Sequence, residues 1–284
     1  MPPTSKKEIK KILRNNKVYP LKQLGQNFLI DKNILLKIIN ASFIKSKDVV
    51  LEIGPGLGIL TQELAKKAKR VVAIEKDKRI INLLKERLSR FNNVKLINKD
   101  ARYYNPKIAN YKVVANLPFG VAIPIIRKFL ENKNQPKKMV LMVQKEVAQR
   151  ICAQPPEMSL LAVSVQFYAK TKIVSFVSKK CFWPQPKVDA GIIEIIPKKP
   201  SGFLRVKKKD FKQFKKLFFK IVKAGFSQPR KQLVNNLSKV LKLDKEKTMT
   251  WLLKNKINPK TRAENLKIKD WISLTKTFKV YFCE

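Results

Sequence analysis

Histidine is absent from all 284 residues, and that lack removes a large share of enzyme chemistry. No imidazole is available for general acid–base work near neutral pH, for a Ser-His relay or for a His-ligated metal. Cysteine is nearly as scarce: Cys152, Cys181 and Cys283 are the three, far apart and with no C-x-x-C pair. Neither a zinc ribbon nor a disulfide framework is indicated, and no metal site is expected. Apolar runs of membrane-spanning length are missing too, and the N-terminal M-P-P-T-S-K-K-E-I-K-K has no apolar h-region. A soluble, cytoplasmic protein with no membrane partner is the plain expectation. Anions are the last shortage: 20 Asp+Glu stand against 63 Lys+Arg, a formal net charge of +43.

Such an imbalance points to a polyanionic partner, most simply nucleic acid. Lysine in preference to arginine reads as codon usage of an AT-rich genome; the surplus of cations over anions does not. From Ser201 to the end there are 23 Lys+Arg against six Asp+Glu, or +17, which leaves +26 for residues 1–200. Both parts should feel a phosphate backbone, with an affinity that falls steeply as salt rises.

Eight glycines serve the whole chain, and three of them fall at alternate positions in Val49–Gly58, V-V-L-E-I-G-P-G-L-G. Val49–Ile53 is an apolar, β-branched run suited to a buried parallel strand. Gly54, Gly56 and Gly58 allow a sharp turn and a close approach of backbone to ligand, and Leu60, Leu64 and Ala68 open a helix at four-residue spacing. Strand, glycine turn and helix make the nucleotide-binding corner of an open α/β sheet. A dinucleotide fingerprint would need glycine at Ile59; G-x-G-x-G preceded by Glu52 is instead the spacing of S-adenosylmethionine sites. The next strand, Arg70–Glu75, ends 21 residues after Gly54, where a carboxylate can accept both ribose hydroxyls. Alone, Glu75 would be a solvated charge at a strand end.

The rest of the chain is read around this unit. Ser5–Asn16 has the pattern of a basic amphipathic helix. Gln23–Asp31 (Q-L-G-Q-N-F-L-I-D) leads into a helix that Asp31 can cap. Val94–Ile97, Lys112–Ala115 and Met139–Gln144 are further strands, with helices at Arg79–Arg90 and Val121–Leu130, and this alternation predicts a parallel, doubly wound sheet. Asp100 stands just past one strand end, where it can meet an adenine amino group or cap a turn; Asn116-Leu117-Pro118-Phe119-Gly120 forms a stiff turn past another. A helix at Ser159–Ala169 and strands at Ile173–Val177 and Val188–Ile196 follow. Between the strands lies Cys181–Asp189 (C-F-W-P-Q-P-K-V-D), whose aromatics could stack a base or cap the sheet. Pro197–Gly202 is a linker, and helices at Phe211–Ala224, Arg230–Leu237, Lys245–Asn255 and Lys267–Phe278 form a small bundle. The expected division is 1–199, with a basic arm at 1–22, and 200–284.

An N-L-P-F turn after the fourth strand and G-x-G-x-G after the first resemble the N6-adenine methyltransferases. Gln26–Leu29 (Q-N-F-L), Leu51–Gly58 and Phe182–Asp189 (F-W-P-Q-P-K-V-D) resemble one branch, the ribosomal RNA adenine dimethyltransferases. Ala224–Leu237 (A-G-F-S-Q-P-R-K-Q-L-V-N-N-L) and Thr261–Leu266 (T-R-A-E-N-L) are similar to its bacterial small-subunit type. The resemblance runs from about Pro20 to Leu274. It implies an α/β, Rossmann-like, S-adenosylmethionine-dependent methyltransferase sheet with a small C-terminal all-α domain. It implies dimethylation of two adjacent adenines in the 3′-terminal hairpin of small-subunit rRNA, by a monomer acting on an assembling ribosomal subunit. Carried over by position, Asn27 and Leu29 border the cofactor, Gly54 and Gly56 line its methionine part, Glu75 holds its ribose and Asp100 its adenine. Asn116 touches both cofactor and target amine; the Leu117 carbonyl accepts from that amine, while Phe119 and Phe182 face the target base. The family commonly has tyrosine at Phe119, a basic residue at Pro229, and a Tyr-Gly pair in the Pro155-Pro156-Glu157 region. The rival readings are a large-subunit rRNA dimethyltransferase of the macrolide-resistance type, a non-catalytic assembly or transcription factor, and a DNA adenine methyltransferase, for which no target-recognition insert is seen.

Overall fold

The computed structural model describes residues 5–198 and 208–282. Most of the P-K-K-P-S-G linker, Cys283 and the first four residues lie outside the described range. Helix α1 (Lys6–Asn15) starts at Ser5, whose hydroxyl accepts from the Glu8 amide and donates to the Glu8 carboxylate, a reciprocal cap. Ile9 and Leu13 are buried in the core, so the predicted basic arm includes a packed helix with its lysines outward. After β1 (Phe28–Leu29) comes α2 (Lys32–Ser42), capped by Asp31 through the Asn33 and Ile34 amides.

Five parallel strands follow: β2 (Val49–Ile53), β3 (Arg70–Glu75), β4 (Val94–Asn98), β5 (Tyr111–Asn116) and β6 (Lys138–Gln144). The crossovers carry α3 (Ile59–Ala65), α4 (Lys78–Arg87) and α5 (Ala122–Glu131). Helix α6 (Lys145–Cys152) begins at the residue after β6, with no turn signal in the sequence to announce it. Then come α7 (Leu160–Gln166), β7 (Ala169–Val177), β8 (Phe182–Trp183) and β9 (Ala190–Pro197). The sheet order is β4-β3-β2-β5-β6-β9-β7. Its first five strands are parallel, as the alternation predicts, and β9 runs antiparallel to both β6 and β7. A separate antiparallel ribbon pairs β1 with β8, setting Phe28 opposite Trp183 and Leu29 opposite Phe182. The chain reverses its direction of winding between β2 and β5, which opens a crevice at their carboxyl ends.

Among the described residues four more helices follow: α8 (Lys208–Gly225), α9 (Leu233–Leu241), α10 (Lys245–Lys254) and α11 (Ile268–Phe282). Helix α9 starts three residues later than its periodicity predicts, with Pro229 in the turn ahead of it. The sequence places one cut at 199/200, but the compact units are discontinuous. One holds the described residues up to Gln149 with Ala169–Pro197; the other joins Arg150–Tyr168 to the described residues from Lys198 on. The cause is aromatic packing: Phe167, fully buried, lies 4.3 Å by ring centroids from Phe218 and 5.5 Å from Phe219. The Met158 amide also donates to the Glu264 carbonyl. No helix among the described residues is long and apolar enough to cross a membrane.

Candidate functional site

All ten residues singled out in the sequence line one cavity of about 450 Å³ at the carboxyl ends of the parallel strands, a volume suited to a nucleoside-sized ligand. Its floor is the glycine turn. Gly54, Gly56 and Gly58 take φ of 67°, 55° and 78°, a left-handed region that a side chain would strain. A Cβ on Gly56 would also come within 3.2 Å of the Phe28 ring, so ring and turn meet only because the side chain is missing.

Two carboxylates lie behind the turn. Glu75, at the end of β3, is buried, and its Oε1 accepts from the Asp77 amide at 2.8 Å. Burial pushes its pKa up. Glu52 is 1% exposed, and its Oε2 has no hydrogen-bond partner although the residue lines the cavity. Burial, with the charge of Glu75 adding to it, raises Glu52 to about 8. Sequence reasoning placed Glu52 in the motif and not in the site. The signal was there, since an acid inside V-V-L-E-I must be buried and buried acids need a partner.

Asp100 follows β4 and caps the short turn of Ala101–Tyr103. Its carboxylate is gripped by Arg102 at 3.1 and 2.7 Å and by Lys76 at 3.2 Å. The Arg102 guanidinium holds it well below the usual carboxylate range. Cap and cavity-lining roles therefore coexist in one carboxylate.

Gln26–Leu29 forms another wall. Gln26 donates to Asp77 at 2.9 Å and accepts from the Leu21 amide at 2.8 Å, which ties this segment to the loop holding Glu75. The Asn116 side-chain NH₂ donates to the Asn27 carbonyl at 3.2 Å, leaving Asn116 Oδ1 as acceptor. The Leu117 amide donates to the Met142 carbonyl, which sets the orientation of the strand end. Leu117's side chain is core; only its carbonyl can serve the cavity. Phe119 is half-buried and packs against the core cluster. Phe182 is 2% exposed, a cavity wall held by the β1–β8 ribbon.

Glu52 has a measurable consequence. In the folded chain it keeps its proton up to about pH 8, whereas at its ordinary value of 4.5 the unfolded chain loses it. Between those values the native state binds more protons, so stability falls as pH rises, by up to ~1.4 kcal/mol per unit. With no histidine to titrate in this window, melting temperatures should fall from pH 5.5 to 7.5. Glu52→Gln should flatten that decline, leaving only the smaller contribution of Glu75. A decline unaltered by the substitution would assign it to other groups.

The sequence model of the family described as Ribosomal RNA adenine dimethylase matches residues 20–279. A protein of Dehalococcoides mccartyi named Ribosomal RNA small subunit methyltransferase A is 38% identical over 277 residues, covering 96% of this chain and 93% of its own. Its namesake in Clostridium botulinum is 42% identical over 261 residues, covering 89% and 92%. Among solved structures, a dimethyladenosine transferase from Plasmodium falciparum superposes with a TM-score of 0.74 at 31% identity, covering 89% of this chain and 98% of that one.

Proposed function

This chain belongs to the ribosomal RNA adenine dimethylase family, and from that membership we propose that it dimethylates N6 of two adjacent adenines in the 3′-terminal hairpin of small-subunit rRNA, within an assembling subunit. The observation that carries the reading is the meeting of the glycine turn and the Asn116–Phe119 turn on one cavity. The curated relatives are named for the small subunit, which favours it over a large-subunit target. A binding protein would be served by the charge alone and would not need the Asn116 turn.

The cavity fits S-adenosylmethionine: the side-chain-free turn gives it a floor, and the orphaned Glu52 Oε2 offers a buried acceptor. Bound, that cofactor supplies a methyl carbon made electrophilic by a sulfonium. Gly54 and Gly56 would line its methionine part, Glu75 its ribose and Asp100 its adenine, with Asn27 and Leu29 at the border.

The chain's own task is the amine, whose lone pair is delocalised into the adenine ring. In the first transfer Asn116 Oδ1 and the Leu117 carbonyl accept from the two N6 hydrogens and so favour a pyramidal nitrogen; in the second, one of them holds the single hydrogen that remains. Phe119 stacks on the flipped base, a contact of about 1–3 kcal/mol, and Phe182 supports the other side. Orientation and pre-aimed dipoles then carry the rate, and no histidine is required.

Labelled cofactor, undermethylated small subunits and mass mapping of the rRNA test this. Two dimethylated adenines in the 3′-terminal hairpin are expected; modification of large-subunit rRNA or naked DNA instead would overturn the reading. Calorimetry should show one cofactor site, weakened by Glu75→Ala and by Asp100→Ala. Unchanged affinity in both would remove the ribose and adenine roles. RNA binding should weaken steeply with salt.

A further inference from the structure

A second feature lies on the same edge of the sheet as the cavity, three strands away. Strand β7 is the sheet edge, and a bulge between Ile173 and Ser175 breaks its register. Without that extra residue Phe176 would share the face of Lys170 and Lys172; with it, Phe176 turns to the α6 face. Bulges re-aim side chains in this way beside functional sites. Gly191, opposite Phe176, makes room: a Cβ there would lie 2.8 Å from Ala148 Cβ and 3.5 Å from the Phe176 ring. The ring nevertheless remains 46% exposed, with the Lys145 ammonium 5.3 Å from its centroid.

Beside it runs a shallow groove lined by Lys145, Lys179 and Lys187, with Gln149, Glu146 and Val188. Its frame is fixed by Asp189, whose carbonyl accepts from the Lys145 amide at 2.9 Å and whose carboxylate accepts from the Lys179 amide at 3.0 Å. The register gives the distance from the catalytic turn. Asn116 pairs with Met142, the next residue Val143 pairs with Gly191, and Gly191 pairs with Phe176. Three strand spacings amount to about 14 Å, a span that a few nucleotides of single strand bridge.

We propose that Phe176, with Lys145 beside its ring and Lys179 and Lys187 along the groove that Lys145 shares, is a second nucleotide site that stacks an unpaired base flanking the target adenines and neutralises the adjoining phosphates. The proposal rests on the rRNA reading above and adds to it a place where the substrate is held apart from the reacting base. An exposed aromatic beside cations is the composition of a single-strand stacking platform.

Fluorescence anisotropy with a labelled RNA hairpin carrying the adjacent adenines in its loop tests the platform, alongside methylation of undermethylated small subunits. Phe176→Ala should weaken binding about tenfold, the order of one base–aromatic stack, whereas Phe176→Trp should retain it. Lys187→Ala should lower the slope of log affinity against log salt by about 0.7. Cofactor affinity and melting temperature should stay as in the parent. If Phe176→Ala binds the hairpin as tightly as the parent and with the same salt slope, the platform alone is refuted. Equal loss in Phe176→Ala and Phe176→Trp with a lowered melting temperature would mark a structural ring and also refute it. A parent chain that leaves undermethylated small subunits unmodified refutes the substrate reading itself.

Discussion

Asn116→Ala is expected to slow single-turnover methylation by about 10²–10³-fold, the loss seen when one pre-aimed polar group is removed from a reacting centre, with RNA affinity nearly unchanged. The Asn116 NH₂ is spent on Asn27, so Oδ1 is held in one direction before substrate arrives. The proline of Leu117-Pro118 fixes φ and has no N–H, and the Leu117 amide is anchored to Met142. On the proposed reading, the two acceptors are then set in place before the reaction begins. Phe119→Ala should act differently, weakening capture of the base, whereas Phe119→Tyr keeps the ring and should keep activity. Phe119 also touches the core, so melting curves must accompany the rates. If Asn116 only shapes the turn, activity will track the folded fraction. A well-folded Asn116→Ala chain with normal turnover would end its assignment.

Phe218→Ala should cost about 3–5 kcal/mol of stability, the range for emptying a buried phenylalanine site. The ring is fully buried and meets Phe167, Phe214 and Phe219, so little around it can collapse into the space. Urea unfolding should show the loss as a lower midpoint. A cost under 1 kcal/mol would mean that the rings repack. Ending the chain after Pro200 strips the same aromatic partners from Phe167 and Tyr168. Such a shortened chain tests folding before it tests RNA binding, and exchanging tail lysines for glutamine is the cleaner probe of the basic surface.

The parts of the fold legible in the sequence are those written in local chemistry. Val49–Gly58 announces itself because a β-branched run and three glycines at positive φ have few other uses, and Asp31 shows as a cap from its place ahead of a periodic stretch. The ten residues that line the cavity could be named because short motifs carry them. Other features depend on contacts between distant residues. Nothing around Phe28 predicts its pairing with Trp183, and nothing at 150–168 shows that Phe167 will be clasped by rings from a later helix. Helix α6 escaped because it follows a strand without a break. Glu52 was visible as a letter, but its proton is a property of the burial around it.

The pairing of β1 with β8 has a consequence for the chain as it is synthesised. Residues 28 and 29 emerge early, yet their partners at 182 and 183 are about 150 residues behind; at 5–20 residues per second this is a wait of roughly 8–30 s. Strand β7 likewise has no neighbour until β9, made after it, inserts between β6 and itself. The glycine turn and its parallel strands can form in the meantime. The wall that carries Asn27, Leu29 and Phe182 is completed only by these long loop closures, so a nascent chain acquires its sheet before it closes its cavity.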